Sequence, residues 1–173
     1  MPKPSTPDTP HPARKRRSDA DRSVTAILTA ALEALASDPD ASMAEIARRA
    51  GVVRATTYAH FPTRESLLDA VMEHAVAQVA DATRAAEPEV GEPREALERV
   101  LHATWRMLDQ FHALLAINTS RLSAKELRRR HLPVTTQLAP LIERGQKDGV
   151  FRSDLPVSWH LAVIRAVVHT ASF

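Results

Sequence analysis

The sequence predicts an all-α protein, and three observations support that fold class. Apolar residues make up 44% of the 173 residues but aromatic residues only 4%, and alanine and leucine, which dominate the apolar set, favour helices over strands. Apolar positions recur at helical spacing through several long segments. Prolines fall mainly between those segments, where they end one helix before the next begins. We therefore expect an N-terminal three-helix unit followed by a larger C-terminal helical domain.

Residues 1–17 are predicted to be a disordered, proline-rich and basic arm. Prolines at positions 2, 4, 7, 10 and 12 prevent a persistent helix there. Four consecutive cations follow, from Arg14 to Arg17. They suit a flexible arm that contacts DNA phosphates or a minor groove, and they also suit a solvated charge run that aids solubility.

The first helix is predicted directly behind the arm, because an apolar stripe of helical period runs through it. The stripe consists of Val24, Ile27, Leu28, Ala31, Leu32 and Leu35. Pro39 ends this helix, since proline cannot continue one. We expect the helix to pack across the next two and to hold them at a fixed angle.

Residues 42–61 have the pattern of a helix-turn-helix, the layout of many DNA-reading domains. Ser42, followed three residues later by Glu45, predicts a capping box at the start of a short helix. Gly51 can adopt the left-handed conformation that ends this helix and redirects the chain. The second short helix carries side chains that can bond bases or phosphates, namely Arg54, Thr56, Thr57 and Tyr58. DNA binding is therefore predicted.

The same segment resembles the N-terminal domain of the TetR family of bacterial transcription regulators. The resemblance covers residues 22–68 and is strongest in Ala50-Gly51-Val52, Tyr58-Ala59-His60-Phe61 and Arg64-Glu65-Ser66-Leu67-Leu68. It implies a helix-turn-helix DNA-binding domain over residues 18–64 and a helical regulatory and dimerisation domain over residues 65–173. It also implies a homodimer that places one recognition helix per subunit in successive major grooves of a palindromic operator.

Three positions depart from the family pattern. Val53 stands where Ser or Thr commonly begins the recognition helix, Ala55 where Gly is frequent, and Thr57 where Leu is frequent. Loss of the Ser/Thr cap is expected to cost about 1 kcal/mol of local helix stability. These changes bear on which operator is read rather than on whether DNA is bound.

The expected DNA contacts divide into base and phosphate contacts. Arg54 is the expected base reader, because arginine pairs well with guanine edges, and Thr56 and Thr57 would assist it. Phosphates would be held mostly by Ser42, Tyr58, His60 and Arg64. Val53, at the start of the recognition helix, completes the predicted DNA-binding set.

The second domain is predicted to begin with a long helix capped by Thr63. In the TetR family this helix joins the DNA-binding domain to the regulatory domain, and its shifts transmit the ligand signal. Another long helix, from about residue 94 to residue 118, follows the loop 87–93. One of its sides fits either the wall of a ligand pocket or a solvent-exposed face. The candidate ligand-binding residues on that side are His102, Trp105, Asp109 and His112.

The last helix, predicted from residue 157 to about residue 170, is apolar on almost every side. Such a helix must be covered on several sides, so a dimer interface is the economical explanation. The candidate interface residues are Trp159, Val163, Ala166 and Val167. Family members usually carry a further helix after this one, which implies a shortened form or a dimer built differently. Earlier in this domain, Pro140 is expected to kink its helix or to mark a boundary.

The sequence offers no support for an enzyme, a metal site or a membrane protein. It has no cysteine, its four glycines are scattered rather than grouped into a phosphate-binding loop, and its eight histidines lack metal-binding spacing. No apolar stretch approaches the ~18 to 20 residues that span a membrane, and no secretory signal is visible. A cytoplasmic protein without enzymatic activity, cofactor or metal is expected.

The leading hypothesis is a ligand-responsive transcriptional repressor. It would bind a palindromic double-stranded DNA operator as a homodimer and be released by a small-molecule effector whose identity the sequence does not reveal. One alternative is a helical protein-interaction adaptor with non-specific DNA affinity. Another is a DNA binder without ligand control, whose second half only dimerises.

Overall fold

A computed structural model of the chain describes residues 12–119 and 123–171. These residues form eight α-helices and no β-strand, which confirms the predicted all-α fold. The helices are α1 (Pro12–Ser37), α2 (Met43–Arg49), α3 (Arg54–His60), α4 (Arg64–Ala85), α5 (Pro93–Thr119), α6 (Ala124–Arg130), α7 (Leu132–Lys147) and α8 (Val157–Ala171).

Helix α1 begins earlier than predicted. Its backbone is helical from Pro12 onward, so Arg14 and Arg17 belong to helical turns rather than to a disordered arm. Proline is tolerated at the first helical position, because its missing N–H would have no partner there. The prediction of disorder was therefore wrong for residues 12–17, and residues 1–11 lie outside the described part of the chain.

The N-terminal unit, defined as α1, α2 and α3, packs around one apolar core. Helix α1 buries Ile27 and Leu35 completely. Ile46 of α2 and Phe61, which follows α3, belong to the same core. Gly51 lies between α2 and α3 with a φ of +67°, the left-handed conformation predicted for the turn.

The start of α2 forms only half of the predicted capping box. Ser42 Oγ accepts a hydrogen bond from the Glu45 backbone N–H, 3.2 Å away. The Glu45 carboxylate does not return to Ser42 but accepts from Arg48 Nε and Arg49 Nε, at 2.9 and 2.8 Å. Charged donors form stronger hydrogen bonds than a backbone N–H, so the arginines hold the carboxylate.

Helix α4 links the N-terminal unit to the rest of the molecule. It starts at the predicted cap, where Thr63 Oγ1 accepts from the Ser66 N–H and Ser66 Oγ accepts from the Thr63 N–H. Its apolar side joins the core of the N-terminal unit and then packs against α5 and α7. The buried residues of this side are Leu67, Leu68, Val71, Met72, Ala75, Val76, Val79, Ala80 and Thr83. A movement of α4 would therefore reach both halves of the chain.

Helices α5, α7 and α8 complete the second half. Helix α7 continues past Pro140 to Lys147, so the proline does not form a boundary. The loop between α4 and α5 is fastened by Arg99, which donates to the Val90 carbonyl at 2.7 Å, and by Arg144, which donates to the Pro88 carbonyl at 3.0 Å.

Candidate nucleic-acid interface and apolar cavity

The outer face of α3 carries the strongest candidates for DNA contact. Arg54 and Tyr58 are exposed one helical turn apart, and Val53 at the helix start is 70% exposed. The Arg54 guanidinium lies over the Tyr58 ring, 5.3 Å from its centre, and Arg54 Nη2 is 3.3 Å from Tyr58 Oη. A guanidinium supported in this way is partly ordered before any partner binds, which lowers the entropy lost on binding.

Val53 also lacks the cap that its position usually supplies. It is the N-cap residue of α3, and no side-chain hydrogen bond caps the helix there. Its isopropyl group is instead exposed to solvent. Beside Arg54, this apolar group is suited to contact the methyl group of thymine in a major groove.

Thr57 does not belong to the exposed face. Its side chain is completely buried, and its Oγ1 has no hydrogen-bond partner. The prediction that Thr57 assists base reading was therefore wrong. The signal was present in the sequence, because the family frequently has Leu at this position, which is typical of a core residue.

Arg64 makes internal hydrogen bonds, and its predicted phosphate contact stays a prediction. Its guanidinium donates to the backbone carbonyl of Pro39 at 2.7 Å and also to that of Ala41. These bonds tie the start of α4 to the turn between α1 and α2. The spacing of Arg64 in the sequence did not reveal this contact, because its partners lie more than twenty residues earlier.

The other predicted DNA contacts differ in exposure. Ser42 is exposed, but its hydroxyl already caps α2. Thr56 and His60 are half-buried on α3. Together with Val53, Arg54 and Tyr58, these residues remain available for the predicted contacts.

The charge on α2 is partly neutralised within the helix. Hydrogen bonds from Arg48 and then from Arg49 lower the pKa of the Glu45 carboxyl to about 2, so this group is ionised at every physiological pH. The same pairing raises the pKa of Arg48. Helix α2 thus offers less positive charge to a DNA backbone than its two arginines suggest.

An apolar cavity lies between α4, α5, α7 and α8. It contains about 870 Å³ of atom-free space, counting the part open to solvent. Its described lining residues are Met72, Ala75, Val76, Val79, Thr83, Leu97, Val100, Leu101, Thr104, His131, Val134, Thr135, Leu138, Leu161, Ile164, Arg165 and Val168. An apolar cavity with few polar groups is typical of small-molecule sites.

The residues predicted to bind a ligand do not line this cavity where they can be placed. His102 and Trp105 are exposed on α5, and Trp105 is 44% exposed. The side chains of Asp109 and His112 lie outside the described residues. Helix α5 turns its apolar stripe toward the cavity instead, with Leu97, Val100, Leu101 and Thr104. His102 and Trp105 thus fit the alternative in which this side of α5 is exposed to solvent.

Helix α8 divides its apolar residues between two sides. Leu161, Ile164 and Val168 face the cavity. The four predicted interface residues are all exposed in the single chain, with Trp159 at 41%, Val163 at 37% and Val167 at 58%, alongside Ala166. This exposed apolar side is compatible with the predicted dimer interface.

The described residues also bear on metal binding and on membrane insertion. No group of three or more metal-ligating side chains comes together there. Among the described helices, none combines the length and the apolar character that crossing a bilayer requires.

Comparison with known sequences agrees with the geometry of α1–α4. The family described as "Bacterial regulatory proteins, tetR family" matches residues 27–71. The repressor LfrR of Mycolicibacterium smegmatis is 37% identical over 83 residues, which is 48% of this chain and 44% of LfrR. The regulator NfxB of Pseudomonas aeruginosa is 30% identical over 131 residues, which is 75% of this chain and 70% of NfxB. The match to LfrR thus spans less than half of that relative.

Comparison with solved structures extends the similarity over most of the chain. The structure of LfrR from Mycobacterium smegmatis in complex with proflavine has a TM-score of 0.73 at 26% identity and covers 89% of this chain and 84% of that one. A TetR regulatory protein from Mycobacterium vanbaalenii has a TM-score of 0.66 at 30% identity and covers 91% of this chain and 96% of that one. With its exposed recognition helix, linking helix and helical second half, this chain belongs to the TetR family of bacterial transcription regulators.

Proposed function

We propose that this protein is a transcriptional repressor that binds a palindromic DNA operator as a homodimer and is released by a small molecule. The observation that carries the proposal is the exposed Arg54–Tyr58 pair on the recognition helix of a TetR-type fold. The name of the relative LfrR, which is described as a transcriptional repressor, supports repression over activation.

Arg54 supplies the main base contact in this proposal. A bidentate arginine suits the O6 and N7 acceptors of guanine in the major groove. Val53, one residue earlier, supplies an apolar contact to a neighbouring thymine methyl. Tyr58, Ser42 and His60 hold phosphates and set the register of the helix.

The apolar cavity supplies the ligand control. Helix α4 lines it through Met72 and Val79, and the same helix is tied to the N-terminal unit through Arg64. A ligand that binds one position of α4 better than another shifts the population toward that position. The distance between the two recognition helices of the dimer then no longer fits both half-sites. The LfrR structure, which contains proflavine, is a relative with a small molecule bound.

DNA binding is tested by selecting duplexes from a random palindromic pool and titrating the selected duplex by fluorescence anisotropy. We expect site-selective binding by two subunits. Arg54→Ala should lose about 1 to 3 kcal/mol of specific binding, concentrated at one operator position. Arg94→Ala, an exposed arginine on α5, is the matched control and should bind like the wild type.

Two results would contradict the proposal. Weak binding that ignores sequence and disappears with salt would leave only non-specific charge attraction and favour the adaptor alternative. An equal loss on all duplexes for Arg54→Ala would reassign Arg54 to a phosphate contact.

A further inference from the structure

The polar groups of the apolar cavity are few, and most are already used inside the protein. Thr104 Oγ1 donates to the Val100 carbonyl at 2.8 Å, and Thr135 Oγ1 donates to the His131 carbonyl at 3.2 Å. Both hydroxyl groups therefore already donate their hydrogen to a backbone carbonyl one helical turn earlier. The ionisable side chains that remain in the described lining are His131 and Arg165, and no carboxylate is among them.

Arg165 differs from the other half-buried arginines of the second half, Arg130 and Arg144, which both have hydrogen-bond partners. It is half-buried on α8, and within the described residues no carboxylate forms an ion pair with it. Four arginines of this half do pair with carboxylates, namely Arg94, Arg129, Arg130 and Arg152. Two more, Arg99 and Arg144, donate to carbonyls of the loop between α4 and α5. Arg165 is thus a guanidinium placed against apolar surface without a counter-charge.

His131 adds little positive charge near neutral pH. Its Nδ1 lies 2.8 Å from the Leu127 carbonyl. Burial lowers the pKa of His131; the Leu127 bond opposes this with a smaller effect, and the charge of Arg165 lowers the pKa by less again. Among the described lining residues, the side chain that stays positively charged near neutral pH is therefore that of Arg165.

We propose that the ligand of this cavity is a small amphipathic organic anion, in which an apolar body fills the cavity and one acidic group binds Arg165. The apolar walls bind the body through the hydrophobic effect. The acidic group supplies the counter-charge that Arg165 lacks, and a charge-assisted hydrogen bond is strong where water is excluded. A cationic ligand of the same shape would be repelled by the positive charge of Arg165. The role of this anion as the effector rests on the proposed function above.

The test is direct binding to the full chain without DNA, by titration calorimetry below the micellar concentration of each probe. Decanoate, decanol and decylammonium have equal chains and differ in charge. We expect decanoate to bind at least about 10-fold tighter than decanol, and decylammonium to bind weakest. Arg165→Gln should weaken decanoate binding about 10- to 100-fold and leave decanol binding unchanged.

Two further variants keep the result interpretable. Arg165→Lys retains the charge and should keep the preference for decanoate, which shows that a loss in Arg165→Gln is not misfolding. Arg128→Gln alters an exposed arginine on α6 and should behave like the wild type. Failure of decanoate to bind, tight binding of decylammonium, or a decanoate preference that survives Arg165→Gln would each overturn the proposal.

Release of DNA is measured separately, by adding decanoate to the complex with the selected duplex. Decanoate that binds the free protein through Arg165 but leaves the complex intact would uphold the ligand class and contradict ligand-controlled repression. Decanoate that neither binds nor releases DNA, on a protein that still binds DNA selectively, would contradict the ligand class alone.

Discussion

The N-terminal unit and the cavity-forming second half bury their interiors by different means. The first leaves a hydroxyl group, that of Thr57, completely buried and without a partner. The second packs the Phe151 ring directly on the backbone of Gly145. The contact is so close that a Cβ added at Gly145 would lie only 2.1 Å from Phe151 Cδ2. The second half also contains buried side-chain atoms without a partner, on Arg130, Gln137, Arg144 and His160. The two halves therefore differ in the close ring-on-backbone contact at Gly145 and not in the presence of unpaired polar atoms.

Gly145→Ala would disrupt the close contact in the second half and has the largest expected effect. The added methyl group must displace the Phe151 ring, which packs on Gly145 within α7 and the turn that follows. We expect a loss of about 1 to 3 kcal/mol in the free energy of unfolding, as for overpacked cores. Urea unfolding measures it. Gly149→Ala is not a suitable control, since Gly149 has a φ of +72°; the double change Gly145→Ala with Phe151→Leu should recover part of the loss.

Thr57→Val would repair the N-terminal unit. Valine has nearly the shape of threonine, so the change removes the unpaired hydroxyl without changing the fit. We expect a gain of about 1 kcal/mol in the free energy of unfolding, with specific DNA affinity unchanged because the side chain is buried. Thr56→Val, on a half-buried neighbour, is the control for the unfolding measurement. A loss of operator selectivity in Thr57→Val would show that this side chain reaches DNA after all.

The smallest expected effect is on the pH dependence of the unfolding free energy, which should come from two histidines outside the N-terminal unit. Burial lowers the pKa of His131 below its usual 6.5 in the folded state, so the unfolded state binds its proton more readily. The contribution of His131 is therefore complete above pH 6.5 and is lost as the pH falls below 6.5 toward the folded-state pKa. His74 on α4, also lowered by burial, acts in the same direction.

His131→Asn should flatten the decline in unfolding free energy between pH 6.5 and pH 5, measured by urea titration at each pH. His74→Asn reports the second contribution separately. A decline that is equally steep in the double variant would attribute the pH dependence to groups other than these two histidines.

Local signals in the sequence predicted much of the fold. Thr63 starts α4, and Gly51 turns the chain between α2 and α3, because caps and left-handed glycines depend on neighbours a few residues away. The apolar stripe of α1 predicted its buried side for the same reason. The start of α1 was missed, because a proline-rich, basic segment and a helix that begins with proline look alike in composition.

The candidate sites were predicted less well, because their contacts join distant segments. Arg54 and Tyr58 were identified by a motif, and their exposure follows from the face of a single short helix. For the polar stripe of α5, the sequence left open a pocket wall and a solvent-exposed face, and the exposure of Trp105 in the structure favours the second. The unpaired Arg165 had no signal at all, since α8 approaches the cavity from the far end of the chain.

The sequence by itself determined that this protein is helical, where α4 begins and where the chain turns between α2 and α3. It also predicted which short helix reads DNA, because each of these properties is encoded within a few turns of chain. Only the tertiary structure decided that Thr57 is buried and that Arg64 ties α4 to an earlier turn. It also decided that Arg165 lies at apolar walls with no carboxylate among the described lining residues. The physical reason is that burial and pairing depend on which helices pack together. Periodicity along one helix specifies that it has a buried side but not what that side will meet.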